Sequence, residues 1–111
     1  MSILSELKNA IETLKIPIET GTFSGVPPDE YIVLTPMTDE FGLYADNLPS
    51  VEVPEVRISF FTKSNYIQKK NQLTRILIEA DFVITDRRYI GHEDDTGYHH
   101  YAIDVAKEYN F

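Results

Sequence analysis

The residues with the most chemical potential gather in one short stretch, His92-Glu93-Asp94-Asp95 followed by His99-His100. Imidazole and carboxylate together suit a divalent metal or acid–base work. The spacing opposes both. His99 and His100 are neighbours in a run that alternates like a strand, so they point to opposite faces. The acidic trio falls at a turn, where charge keeps a hairpin solvated. Neither a His-x-x-x-His pair nor an Asp-x-Asp-x-Asp-Gly loop occurs. A solvated hairpin without a metal is the expectation. Nucleophilic chemistry has less support. There is no Gly-x-Ser-x-Gly elbow, and Ser24-Gly25 reads as a turn. Gly21 and Gly25 are not followed by the Lys-Ser/Thr of a phosphate cradle. The absence of cysteine excludes a thiol nucleophile, a disulfide and a Cys-ligated zinc. The expectation is therefore no enzyme, no catalytic residue and no cofactor.

Charge is more informative than any motif. The 111 residues hold 10 Lys and Arg against 18 Asp and Glu, a net charge of −8. Such an excess gives no general attraction to phosphate backbones. Lys63, Lys69, Lys70, Arg75, Arg87 and Arg88 therefore read as a solvated helix face plus two strand residues, not a nucleic-acid patch. The distribution is polarised. Residues 16–56 contain eight acids (Glu19, Asp29, Glu30, Asp39, Glu40, Asp46, Glu52, Glu55) and no Lys or Arg. Residues 63–88 contain those six bases and three acids, Glu79, Asp81 and Asp86. A head-to-tail ring would use this, the acidic flank of one subunit meeting the basic flank of the next. No apolar run approaches the roughly 18 residues that cross a bilayer. Met1-Ser2-Ile3-Leu4-Ser5-Glu6 lacks the basic start and apolar block of a signal peptide. A soluble, cytosol-made protein with no membrane partner is expected.

The elements that must position these groups follow from periodicity. At 42% hydrophobic and 25% charged the composition is globular. The length is that of one domain, with a radius of gyration of about 13 Å. Leu4, Leu7, Ile11 and Leu14 recur at steps of three and four, which predicts a helix from Ser2, its cap, to about Lys15. Pro17 stops it. Residues 17–54 hold all six prolines and three of the five glycines, and read as a loop-rich segment around one clear strand, Glu30 to Thr35. A weaker strand is expected at Gly42 to Asp46. This segment is either a binding arm or a folded-over connection with extra strand pairing. Glu55 to Lys63 alternates as a half-buried strand, with Val56, Ile58 and Phe60 inward. Phe61 interrupts its polar side and is marked as an interface residue. A second helix runs from Tyr66 to about Asp81, capped by Ser64 or Asn65. Its buried stripe is Ile67, Leu73, Ile76, Leu77 and Ala80, with Lys69, Lys70 and Arg75 outside. A hairpin closes the chain: Phe82 to Ile90, a polar turn at Gly91 to Gly97, and Tyr98 to about Lys107. Tyr101, Ile103 and Val105 lie on one face of its second strand, His100, Ala102 and Asp104 on the other. The fold class is α+β, an antiparallel-rich sheet with two helices packed on one face, in the order α-β-(β)-β-α-β-β. Leu7, Ile11, Val56, Ile58, Phe60, Leu73, Leu77, Ile84, Ile103 and Val105 form the expected core.

Three runs carry a family resemblance: Val56-Arg57-Ile58-Ser59-Phe60-Phe61-Thr62-Lys63, then Asp81-Phe82-Val83-Ile84-Thr85-Asp86-Arg87-Arg88-Tyr89-Ile90, then Glu93-Asp94-Asp95-Thr96-Gly97-Tyr98-His99-His100-Tyr101. Together with the opening helix and the Tyr31-Ile32-Val33 strand, they resemble the small tail completion proteins of siphophages and prophages of Gram-positive hosts. That family is related to tail terminators and tail-to-head joining proteins. The resemblance implies a structural virion protein at the head-proximal end of the tail, assembled in the host cytoplasm. It implies a homo-oligomeric ring, commonly a hexamer, that caps the tail tube. The implied partners are the tail tube protein and the head-completion or connector protein, with DNA only as passing cargo. The family's motifs carry no catalytic residues. Phe41, Tyr44, Leu48, Arg87 and Arg88 are the candidate subunit-interface residues, the first three from the arm and the last two from the basic flank. The alternative from another class is a small acidic protein-binding module or inhibitor acting through a sheet edge; a metal-assisted hydrolase is a distant third.

Overall fold

A computed structural model describes residues 2–45 and 48–111. Helix α1 spans Ile3–Ile11. Ser2 caps it, its hydroxyl oxygen accepting from the Ser5 amide at 3.2 Å. Ile3, Leu7 and Ile11, four residues apart, are its buried face. The helix is shorter than its periodicity predicts. A 3₁₀ turn, Glu12–Leu14, tightens the end, and Lys15 adopts a left-handed φ of 58°. Pro17 then starts the extended chain of β1, Ile18–Thr20.

Strands β2, Glu30–Ala45, and β3, Leu48–Thr62, form one long antiparallel ladder. Residues 36–54, expected as loop, are therefore mostly strand. Of the weaker strand expected at 42–46, residues 42–45 belong to β2, and Asp46 lies outside the described residues. The prolines explain the misreading, because two of them break no ladder bond. Ile32 donates outward to Pro17 O, and Leu34 O accepts from Gly21, so even-numbered β2 residues turn their polar groups away from β3. Pro36 continues that alternation, and its missing N–H faces an edge that β1 has already left. Pro54 lies opposite Lys107 in the register of β3 with its other neighbour, at a break in that pairing.

Helix α2, Tyr66–Glu79, follows. Asn65 Oδ1 accepts from the Ile67 amide at 2.9 Å as its N-cap. Leu73 and Leu77 are fully buried, whereas Ile67, expected in the stripe, is 49% exposed. Tyr66 takes the inward position instead. Lys70 is also not on the outer face as expected; its ammonium lies 5.3 Å from the centre of the Tyr101 ring. The helix ends in a Schellman motif. Phe82 N donates to Leu77 O at 3.0 Å and Asp81 N to Ile78 O at 3.1 Å, with Asp81 left-handed at φ 67°.

Strands β4, Val83–His92, and β5, His99–Ala106, form the expected hairpin, and β6, Tyr109–Asn110, pairs with β3 at Val51 and Glu52. The sheet order is β1-β2-β3-β5-β4, antiparallel throughout except for the parallel β1–β2 pair. Both helices cover one face. Leu7, Ile11, Leu73 and Leu77 join Ile32, Leu34, Val56, Ile58, Phe60, Tyr101, Ile103 and Val105 in a single core, against which Ile84 is partly buried. The parallel β1–β2 connection sends residues 21–29 across the opposite face. The molecule measures 55 × 26 × 22 Å, with a radius of gyration of 15.2 Å. This exceeds the roughly 13 Å of a compact chain of this length. The cause is the β2–β3 ladder. Its 16-residue strand spans about 53 Å at roughly 3.3 Å per residue, so its distal half projects as an arm.

Two substitutions test the packing. Ile58→Ala removes a fully buried side chain and should cost about 2–5 kcal/mol. Asp81→Gly relieves a left-handed residue and should add about 1 kcal/mol. Chemical denaturation of both variants checks the opposite signs.

Candidate assembly surfaces

The arm begins at a β-bulge. Pro36 pairs with Val56, but Thr38 pairs with Glu55, so Met37 is the extra residue. The bulge reverses which β2 side chains face the helix side. Beyond it Asp39 lies opposite Pro54 and Phe41 opposite Glu52, on the same side as the core residues Val56 and Ile58. Phe41 and Leu48 are both exposed on this arm, and Tyr44 sits at the register position opposite Pro49. The three residues expected to form an apolar arm surface therefore all belong to one ladder. Phe111, which the sequence reading left aside, joins them. Its amide donates to Ser50 O at 3.0 Å and its ring meets Phe41 edge-on, centroids 4.8 Å apart.

The two arginines expected on the basic flank do not share a face. Arg87 and Arg88 are consecutive on β4 and take opposite faces. Arg87 lies on the helix side and its Nη1 donates to Thr74 Oγ1 of α2 at 3.3 Å. Arg88 lies on the other side, paired with Asp86 at 3.1 Å. Other charges are also satisfied within the chain. Arg57 grips Asp104 through two hydrogen bonds of 2.9 and 3.1 Å, and that carboxylate raises the Arg57 pKa. Lys107 donates to Glu6 Oε2 at 2.8 Å and to Ala80 O at 3.1 Å, tying the chain end to both helices. That hydrogen bond holds the Glu6 carboxyl below its usual range. Burial, with the Glu6 charge nearby, pushes the Tyr109 hydroxyl up to about 12.

The sheet face away from the helices carries an aromatic cluster that the sequence reading missed. Phe61 is not an open interface residue. It stacks on Tyr31 at 4.7 Å and on His100 at 4.2 Å. Phe23 of the crossing segment covers Tyr31, and Tyr98 donates to Pro28 O at 2.5 Å, holding that segment down. Phe61 interrupting a polar alternation is its one trace in the sequence; Phe23 and Tyr98 come from segments with no strand pattern in common with it. Burial lowers the His100 pKa, and its Nε2 is buried without a hydrogen-bond partner among the described residues.

His99 lies on the helix face, as its adjacency to His100 requires, and its Nδ1 is 2.9 Å from the Tyr89 hydroxyl. His92 is bonded to Asp94 at 3.1 Å, and its ring centre is 4.6 Å from that of His99. Glu93 accepts from the Thr96 hydroxyl and Asp95 from its amide, so the acids brace the turn. Among the described residues no three His, Asp or Glu side chains converge as a metal ion would require. Compared with known proteins, the chain matches no family model and no curated sequence.

A pH dependence follows from Glu6 and His100. The folded-state pKa values of Glu6 and His100 both lie below their ordinary values. Each group therefore stabilises the fold above its unfolded pKa, and that contribution is lost as pH falls. The melting temperature should fall first below pH 6.5, through His100, and again below 4.5, through Glu6. His100→Phe should flatten the upper step and Glu6→Gln the lower one, measured by thermal unfolding across pH.

Proposed function

We propose that this protein is a structural, non-enzymatic component of a phage virion. In this reading it forms a ring, with six subunits as the family resemblance implies, that caps the tail tube and joins it to the head connector. The observation that carries the reading is the arm. A ribbon of β2 and β3 projecting from a small domain, edged by the short β6 at Val51 and Glu52 and with acids but no base along residues 38–55, is built to touch a neighbour. Its tip, beyond the β6 pairing, has two strands only; two-stranded ribbons are marginal in water on their own, so contact with another subunit would stabilise the tip. The net charge of −8 suits a channel through which DNA slides without sticking. The motif resemblance in residues 56–63, 81–90 and 93–101 supports the same reading.

A second reading has one observation in its favour. Beyond Thr20 no strand covers the outer edge of β2 among the described residues, and β4 is the opposite edge of the sheet. Open edges accept extended peptides, which fits a small acidic binding module working through its sheet edge.

Solution mass separates the two. The chain alone should be monomeric or weakly associated, and mixing with the tail tube protein of the same phage should produce tubes closed at one end by a ring, visible by electron microscopy. A chain that stays monomeric at every concentration and leaves the tubes bare contradicts the proposal.

A further inference from the structure

The distal arm presents a defined surface on its helix side. The rings of Phe41 and Phe111 form an exposed edge-to-face pair. Asp39 and Glu52 occupy neighbouring positions of the same side. Neither carboxylate makes an ion pair among the described residues. The surface is therefore two phenyl rings flanked by two unneutralised acids.

The outer side of α2 has the opposite character. One shallow, open groove along the helix surface is bordered by Asn71, Thr74, Arg75, Ile78 and Glu79, and a second, sharing Asn71 and Arg75 with it, also by Gln68 and Gln72. Ile78 is 59% exposed, an apolar side chain with nothing over it among the described residues. Arg75 borders both grooves and makes no ion pair among the described residues. Arg87 reaches the groove's Thr74 from β4. The one acid in the lining is Glu79.

We propose that the arm of one copy of this chain seats on the α2 groove of the next copy. The inference rests on the head-to-tail ring reading and names its contact. Phe41 and Phe111 cover Ile78, Asp39 and Glu52 meet Arg75 and Arg87, and the amides of Gln68, Asn71 and Gln72 face the polar ribbon. A second copy is the occupant because one chain carries both complementary charges, as a heterologous contact requires. Arg88 takes no part: it lies on the opposite face, neutralised by Asp86.

Cysteine trapping tests this, because the chain contains no cysteine. Ser50→Cys marks the arm beside Phe111, and Asn71→Cys marks the groove; neither removes a ring, a carboxylate or a guanidinium of the contact. The two full-length variants, one carrying a mass tag, are mixed at low salt under mild oxidation. The 50–71 heterodimer should form about tenfold faster than a control pairing of Ser50→Cys with Arg88→Cys, as expected for a steered encounter. Arg75→Glu in the groove partner should erase the excess, Asp39→Arg in the arm partner should restore it, and Glu79→Lys should increase it. Equal rates for the 50–71 and 50–88 pairs, or indifference to the charge at position 75, overturn the proposal. So does preferential capture of the Ser50→Cys arm by tail tube protein, which would assign the arm another occupant. If rings form on tubes while 50–71 trapping fails, this contact is wrong and the ring reading stands. If trapping obeys the charges but tubes carry no ring, the contact stands and the virion reading fails.

Discussion

Strands β2 and β3 stay paired for far longer than there is a core beneath them. Near Ile32, Leu34, Ile58 and Phe60 the ladder is backed by both helices and those side chains are buried. From Met37 to Phe41 the β2 side chains are exposed. Backbone pairing continues because strand amides and carbonyls need partners wherever they lie. Burial no longer drives it there, so the arm needs another brace.

The C-terminus supplies it. β5 pairs with β3 from Thr62 down to Glu55, and β6 resumes in the same register at Glu52 and Val51. The gap falls opposite Pro54, which has no N–H to offer. Lys107, in that gap, turns its ammonium to Glu6 and to the last carbonyl of the α2 end, Ala80, while also lying 4.7 Å over the Phe82 ring. Cations near a helix C-terminus are favoured. Tyr109 then packs against the main core and Phe111 reaches Phe41. The last residues of the chain thus carry support from the helices out to the arm. The same brace leaves two phenyl rings in the open, which suits a surface completed by another molecule better than one left in water.

The sequence made part of this legible, for physical reasons that differ by element. Leu7, Ile11, Leu73 and Leu77 repeat at helical spacing, and Val56, Ile58, Phe60, Ile103 and Val105 alternate, because each segment buries one face on one core. Ile67 misled because a lone apolar residue one step off the stripe has the same composition signal as one on it. The arm was hidden by its prolines, which in isolation read as loop; their compatibility with a ladder depends on which edge each N–H would face. Strand β1 is too short for alternation to register. Phe41, Tyr44 and Leu48 stand out in the sequence because they fit no helical or strand stripe, and all three lie on the β2–β3 ladder. Arg87 and Arg88 were both legible as part of the basic flank, yet adjacency on a strand separates them onto two faces. Phe111 went unnoticed because only the β6 register brings it to Phe41.

Amide hydrogen exchange along β2 tests the central claim, that the arm is a ribbon braced by the C-terminus and completed by a neighbouring molecule. In dilute protein at high salt, where charge-steered contacts are screened, the amides of residues 38–42 should exchange far faster than those of Ile32 and Leu34. In the proposed assembly on tail tubes they should slow towards the core rate. Equal, strong protection of both segments in the dilute chain, or no gain in protection at 38–42 on assembly, would contradict the account.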